Sequence, residues 1–487
     1  MVNGSGMKFF FYDLETFGRY PFRLRQAEFA YCVTDSEFNL IDGQSGALYC
    51  AMPPDLLPDP GSVMVTGITP REAAEKGFRE NEYVKRIIAS FPDSNVCFTG
   101  YNNVKFDDEC MRALFFRNFE DPYLMSSYFR SYSRLDILPL VRACHALFPE
   151  TFRAAVKDDG TPSFRLTELT DLNNLNHEHA HEALSDVMAT IAVAGLIRKR
   201  QSAFWDLFFR MRIKQEFSAE ADRLIALRRP AFAVSTSFPG QSSYSALVLP
   251  LMKVNVSGAE KVACLNLSED PARLLEHPEL TSFSMRRVFD EAAGHSKGIF
   301  LSDFNIVLFN ENRCECLFDI SLLSKERAAE LHLDMAAAER NAAVYLRDIA
   351  KAKLAVRALT EKDTLDNAPD TRKRSAEECL YDGFISREDK ELERYFLSLE
   401  RKDPRAMLDV VFEDDRLNRM VKPYFARNLE EQLTPEELER WRGYCRRHIR
   451  AESGAYLARI SELENEYADD SARLALLREL RTLADCE

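Results

Sequence analysis

The sequence predicts an α/β domain over residues 8–200, a smaller β-rich unit after it, and a helical domain towards the C-terminus. Three observations carry that prediction. The apolar run Phe9-Phe10-Phe11-Tyr12 reads as a central strand buried on both faces. Between about Phe232 and Asn310, short β-type runs are punctuated by Gly, Pro, Ser and Asn, as in a small barrel. Beyond Ser324 the chain turns almost wholly helical and charged. With 487 residues it is too long for one ordinary core, so two to four domains are expected.

Taken in order, strands are expected at Lys8–Tyr12, Glu28–Thr34, Ala47–Cys50 and Asn95–Gly100. Helical patterns cover Glu80–Ser90, Phe106–Asn118 and Asp136–Leu147. Val187, Ile191, Ala192 and Gly195 recur at helical spacing and predict a helix over Asp186–Arg200. A basic, aromatic connection around Phe204–Lys214 leads to β-type runs at Phe232–Ser237, Ser243–Val254, Val262–Leu267 and Ile299–Phe309. Glu361–Glu378 is polar and contains proline, which suits a connecting loop. Ser386–Cys486 reads as helical, with Thr434-Pro435-Glu436-Glu437 a helix start. The expected boundaries are 8–200 for the α/β domain, 201–355 for the barrel with its connecting helices, and 356–487 for the helical domain.

Hydrophobic content of 46% and charged content of 29% describe a globular chain. No apolar run approaches the ~20 residues of a transmembrane helix, and the N-terminus lacks the pattern of a signal peptide. The 11 cysteines, odd in number and without CxxC spacing, point to reduced thiols in the cytoplasm. A net charge of -14 argues against nucleic acid in bulk, yet a DNA-processing enzyme needs only a local basic track. Arg198-Lys199-Arg200, Arg210, Arg212 and Lys214 are one candidate; their bland reading is a solvated helix end with a linker.

The chemistry begins at Asp13-Leu14-Glu15, where the first strand ends. Side chains two apart share a face, so both carboxylates leave the strand end together. Such a pair is stabilised most simply by a divalent cation; two solvated acids are the alternative. Phe106-Asp107-Asp108-Glu109 follows the strand ending at Gly100 and places an acid at a helix start, near the strand ends that usually form active sites. Spacing does not choose between Asp107 and Asp108, which point about 100° apart on a helix. His181 and Asp186 share one site only if His181 precedes the helix or caps its first turn. Asp13, Glu15, Asp186 and one of Asp107 and Asp108 would hold two hard cations, Mg²⁺ or Mn²⁺, with His181 taking a proton from water. The alternation His177, His179, His181 suggests zinc, but no cysteine or fourth partner lies nearby.

This ordered set resembles the DnaQ-like 3′→5′ exonucleases of ribonuclease H-like fold, with four acids and a histidine five before the last acid. Further motifs resemble bacterial exonuclease I, a single-strand DNA exonuclease family. They are Thr66-Gly67-Ile68-Thr69-Pro70, Gly100-Tyr101-Asn102-Asn103, Arg117-Asn118-Phe119, Asp121-Pro122-Tyr123, Pro162-Ser163-Phe164-Arg165-Leu166 and Ala180-His181-Glu182-Ala183. Leu380-Tyr381-Asp382-Gly383-Phe384 and Ala426-Arg427-Asn428 extend the resemblance nearly to the C-terminus.

The resemblance implies an SH3-like barrel and a helical C-terminal domain that close a groove around one strand. It implies metal ligation by Asp13, Glu15 and Asp186, Asp107 as the fourth acid, and His181 as general base. Arg165 matches the family arginine on substrate phosphate, with Glu15 also at the substrate. Arg112, Tyr123, Arg142 and Lys214 match positions near the strand. Leu124–Ser133 departs from the family and lacks its tryptophans, and the barrel matches weakly. Implied partners are single-stranded DNA and the acidic tail of single-stranded DNA-binding protein, met by a monomer that works in DNA repair and recombination. An RNase or proofreading exonuclease of the same superfamily, and a non-catalytic DNA-end-binding protein, are the competing readings.

Overall fold

The computed structural model describes residues 6–175, 183–256, 259–276, 289–290, 295–296, 306–309, 315–366 and 374–484. Its first domain is built on strands β1 (Lys8–Thr16), β2 (Gln26–Thr34), β3 (Leu40–Tyr49), β4 (Val96–Gly100) and β5 (Ser133–Asp136). They lie in the order β3-β2-β1-β4-β5, with β1 antiparallel to β2 and parallel to β4, and β4 parallel to β5. The C-terminal ends of β1, β4 and β5 therefore share one edge of the sheet. β1 is central, as its apolar run predicts, but it continues to Thr16. Asp13 and Glu15 lie inside it, because pairing to β2 persists through Glu15↔Glu28 before the register shifts.

Helices α1 (Pro60–Thr66), α2 (Pro70–Lys76), α3 (Glu80–Ser90), α4 (Asp107–Arg117), α5 (Ile137–Leu147), α6 (Leu166–Leu172) and α7 (Ala183–Arg200) complete the domain. Alternation along β1 divides the core. Phe10, Tyr12 and Leu14 pack with α3 and α4, whereas Phe9 and Phe11 pack with α5 and α7. Helix α7 starts three residues earlier than its apolar spacing suggests, so Asp186 sits in its first turn. Strand β3 is longer than expected because it is a half-exposed edge, where alternation is not required.

The expected connection at Phe204–Lys214 is helical instead: Ser202–Arg210 forms a helix and Lys214 begins the helix Lys214–Leu227. Phe204, Trp205 and Phe208 are buried, so the aromatics that looked like linker residues form core. The β-rich unit is a five-stranded antiparallel sheet, ordered Ile306–Phe309, Ala259–Asn266, Ser245–Val256, Ala231–Val234, Cys316–Asp319. The last of these strands was not anticipated, being too short to show periodicity. The expected run at 299–305 lies outside the described residues. Helix Ile349–Asp366 replaces the first part of the expected loop at 361–378, of which 367–373 are likewise outside the described residues.

The helical domain contains Arg387–Lys402, Asp415–Asn428, Pro435–Glu466 and Ser471–Thr482. Thr434 caps Pro435–Glu466 with Glu437 in a reciprocal capping box. Phe396, Phe412 and Tyr424 share a core with Phe116 and Phe119 of the first domain. All nine described cysteines are free and buried, and among the described residues no helix is long and apolar enough to cross a membrane.

Candidate active site

Asp13 and Glu15 continue the face of β1 on which α7 packs, and the first turn of α7 brings Asp186 to them. One carboxylate oxygen from each of the three lies within 4.8 Å of the others. All three are half-buried, so solvent reaches them without screening them fully. Burial, then Asp186 and Glu28, raise the Asp13 carboxyl well above the usual range. Burial, then Asp13, Asp186 and Glu28, push Glu15 up to about 9. Three converging carboxylates, whose like charges raise Asp13 and Glu15, are a donor set suited to a hard divalent cation.

The neighbouring acids of α4 differ in their surroundings. Asp108 is fully buried, accepts a hydrogen bond from the Tyr12 hydroxyl and pairs with Arg134 at 2.7 Å. The Asp107 carboxyl is raised by burial and then by the charge of Asp13, so it feels the acid cluster without joining the three carboxylates that converge. The loop leading to it is tied down by Asp136, the last residue of β5. Its carboxylate accepts from the backbone N–H groups of Asn102 at 2.8 Å, Val104 at 3.3 Å and Leu138 at 3.0 Å. At Gly100 a Cβ would stand 2.7 Å from the Tyr12 carbonyl oxygen, so a side chain there would push β4 away from β1 beside Asp13.

His181 lies outside the described residues, as do His177 and His179. Arg165 immediately precedes α6 with its side chain 79% exposed and a loose contact to Glu168 at 3.7 Å, so its guanidinium is available. Arg112 is more constrained: it pairs with Glu109, donates to the Tyr381 hydroxyl at 3.1 Å and faces the Tyr123 ring at 5.7 Å. Arg142 faces Tyr244 of the β-rich unit at 5.7 Å. Lys214 is exposed at the start of its helix. The basic track does not form a continuous strip. Arg198 pairs with Glu37, Arg200 donates to the Thr151 carbonyl, Arg210 meets Glu216 and Arg212 lies over Phe209.

Sequence reasoning missed Glu28. It is 5% exposed, stands opposite Glu15 across β1 and β2, and acts on both Asp13 and Glu15. An acid at the head of an otherwise apolar run, Glu28 to Thr34, was the available signal. Asp136 was expected only as a helix start.

Comparison with known proteins covers the chain almost end to end. Residues 10–194 match the exonuclease family model, 212–359 the exonuclease I SH3-like domain and 374–485 the exonuclease I C-terminal domain. The chain is 35% identical over 479 residues to exodeoxyribonuclease I of Escherichia coli strain K12, covering 98% of this chain and 97% of that protein. Its fold resembles E. coli exonuclease I in complex with a dA16 oligonucleotide, with a TM-score of 0.84 and 33% identity over 98% of this chain and 99% of that one. It also resembles the chain in a structure of SSB/exonuclease I with the inhibitor CFAM, with a TM-score of 0.83 and 33% identity over 98% and 99% of the two chains.

Proposed function

The chain belongs to the bacterial exonuclease I family of exodeoxyribonucleases, and on that premise we propose that it removes 5′-mononucleotides processively from the 3′ end of single-stranded DNA at Asp13, Glu15 and Asp186. The observation that carries the assignment of the site is the convergence of those three carboxylates on one half-buried point. Asp107 is the fourth acid, leaving Asp108 to its structural partners Tyr12 and Arg134. Mg²⁺ is the preferred cation, with Mn²⁺ as a substitute and two ions per site. Bound there, such ions stabilise the attacking and leaving oxygens of an in-line phosphodiester hydrolysis.

The chain's own residues supply the rest. His181 accepts the proton of the attacking water, a task suited to a pKa near neutrality. Arg165 holds the scissile or adjacent phosphate through its forked N–H groups, with Glu15 at the substrate as well. Arg112, Arg142 and Lys214 line the path of the strand, and Tyr123, 38% exposed, offers a ring face on which a base stacks without sequence choice. The barrel and helical domain flank that path and account for processivity. The protein acts as a cytoplasmic monomer in DNA repair and recombination, and takes the acidic tail of single-stranded DNA-binding protein as a partner.

The deciding experiment incubates the protein and its Asp186→Ala variant with 5′-labelled single-stranded DNA, in Mg²⁺ or EDTA. Blunt duplex DNA and single-stranded RNA run beside it. The reading requires 3′ shortening of the DNA strand that disappears with EDTA and falls by at least about a thousandfold in the variant. Binding without cutting would move the protein to the end-holding class, and equal degradation of RNA would remove the restriction to DNA.

A further inference from the structure

We propose that Glu28 is a further carboxylate of the divalent-cation site and sets its affinity through its charge; the inference rests on the assignment of Asp13, Glu15 and Asp186 to that site. Three features of the backbone place it there. The β1–β2 register puts Glu28 directly across from Glu15, and Ala30 directly across from Asp13. Residues opposed in this way project to the same face with Cβ atoms about 5 Å apart. That face is the one covered by α7, which packs on both strands and carries Asp186. The register shift follows at once, between Glu15 and Thr16, and bulges of this kind re-aim side chains beside active sites.

Chemistry argues in the same direction. The next β2 residues on this face, Ala30 and Cys32, are small, buried members of the core, and Thr34 beyond them is buried with its hydroxyl donated to the Asp35 carbonyl at 3.0 Å. A residue serving packing alone would resemble them. Instead, the strand places a buried carboxylate directly opposite another carboxylate, which brings a further negative charge to the edge where Asp13 and Glu15 stand. The charge count shows what a cation would gain. Asp13, Glu15, Asp107 and Asp186, when ionised, balance two divalent ions and no more. Glu28 leaves the loaded site one charge negative, which holds both ions more tightly. It need not touch an ion to act, since a full charge at this range works through a half-buried medium.

The test is Mn²⁺ binding to the full-length protein, followed by electron paramagnetic resonance and calorimetry without DNA. Glu28→Gln keeps the shape and removes the charge; it lowers Mn²⁺ affinity about tenfold. Glu28→Asp keeps the charge but draws it back, and lowers affinity about twofold to threefold. The rise in melting temperature on adding Mn²⁺ shrinks in the same order. Wild-type affinity in a folded Glu28→Gln protein overturns the inference. If that variant does not fold, unchanged affinity in Glu28→Asp overturns it equally. Asp186→Ala separates the two levels: weakened binding there with normal binding in Glu28→Gln sinks the role of Glu28 alone. Normal binding in Asp186→Ala brings down the assignment of the site itself.

Discussion

At the end of β1, Asp13, Glu15, Glu28, Asp107 and Asp186 gather charges of one sign, whereas Arg25, Arg117 and Arg427 meet Glu80, Glu377 and Asp55 where the helical domain joins the α/β domain. The acid cluster is half-buried at Asp13, Glu15 and Asp186, and the arginine network is largely withdrawn from water. In the second, every charge has an opposite neighbour. Arg117 reaches Glu80 at 2.7 Å, Arg25 reaches Glu377 at 2.6 Å, and Arg427 holds Asp55 at 2.7 Å and Glu377 as well. Burial alone would raise the carboxyls of Glu80 and Glu377, yet the arginines outweigh it and bring both below their usual range. At the acid cluster the same burial acts together with like charge, and the carboxyls of Asp13, Glu15 and Asp107 rise. The contrast separates two uses of buried charge: a network of opposite signs that lowers its carboxyls, and a set of like sign that suits the cation proposed above.

The largest expected effect comes from breaking the balanced network at its hinge. Glu377→Gln takes a partner from both Arg25 and Arg427 and should cost about 3–5 kcal/mol of stability, read by chemical denaturation. A loss under 1 kcal/mol would mean that water already compensates those arginines. The pH dependence of stability sharpens the contrast further, because the two clusters respond with opposite sign. Glu377 has a depressed folded pKa, so its contribution is present above the carboxylate range and disappears as pH falls below it. Glu15 has a folded value of about 9, above its unfolded value, so its contribution is full at low pH and disappears as pH rises to about 9. Metal-free protein should therefore lose about 2–3 kcal/mol more than Glu15→Gln between pH 5 and pH 9, less than the full shift because Glu15 is half-buried. Saturating Mg²⁺ should flatten that difference. Next in size, Asp108→Asn removes the charge that Arg134 meets at 2.7 Å and should cost about 2 kcal/mol while preserving Mg²⁺-dependent cutting. Asp107→Asn should do the reverse.

How far these clusters were legible in the sequence differs in the same way. Asp13 and Glu15 advertise themselves because they interrupt an apolar run at strand spacing, and the two-residue period alone gives them a common face. The fold classes of the three regions were readable from periodicity, as was the cap at Thr434. Glu28 was not recognised, because an acid at the head of an apolar run gains its meaning only from the register of β2 against β1, which sets it opposite Glu15. The arginine network was beyond reach for a stronger reason: Arg25 and Glu377 are joined only after two domains dock. Phe204, Trp205 and Phe208 misled for a related reason, since burial of a short amphipathic helix is decided by its neighbours and not by its own composition.

One contact joins the two kinds of region and yields the smallest expected effect. Tyr381, in the Leu380-Tyr381-Asp382-Gly383-Phe384 motif, donates its hydroxyl to Glu109 while Arg112 donates to that hydroxyl at 3.1 Å. Its ring lies edge-on to Phe22, with centroids 5.6 Å apart. The helical domain thus bears on Arg112 and, through it, on the Tyr123 ring, both assigned to the DNA path. Tyr381→Phe keeps the ring and deletes only the hydroxyl, so stability should fall by about 1 kcal/mol, the net worth of one hydrogen bond set. Its more telling consequence is for substrate. Glu109 and Arg112 remain paired after the change, but Arg112 loses the acceptor that fixes its second N–H direction. Affinity for single-stranded DNA, measured by fluorescence anisotropy in Ca²⁺ to prevent cutting, should weaken about twofold to fivefold, with little change for mononucleotide. An equal loss for both ligands would place Arg112 at the cleavage point, and no loss for either would confine Tyr381 to holding the two domains together.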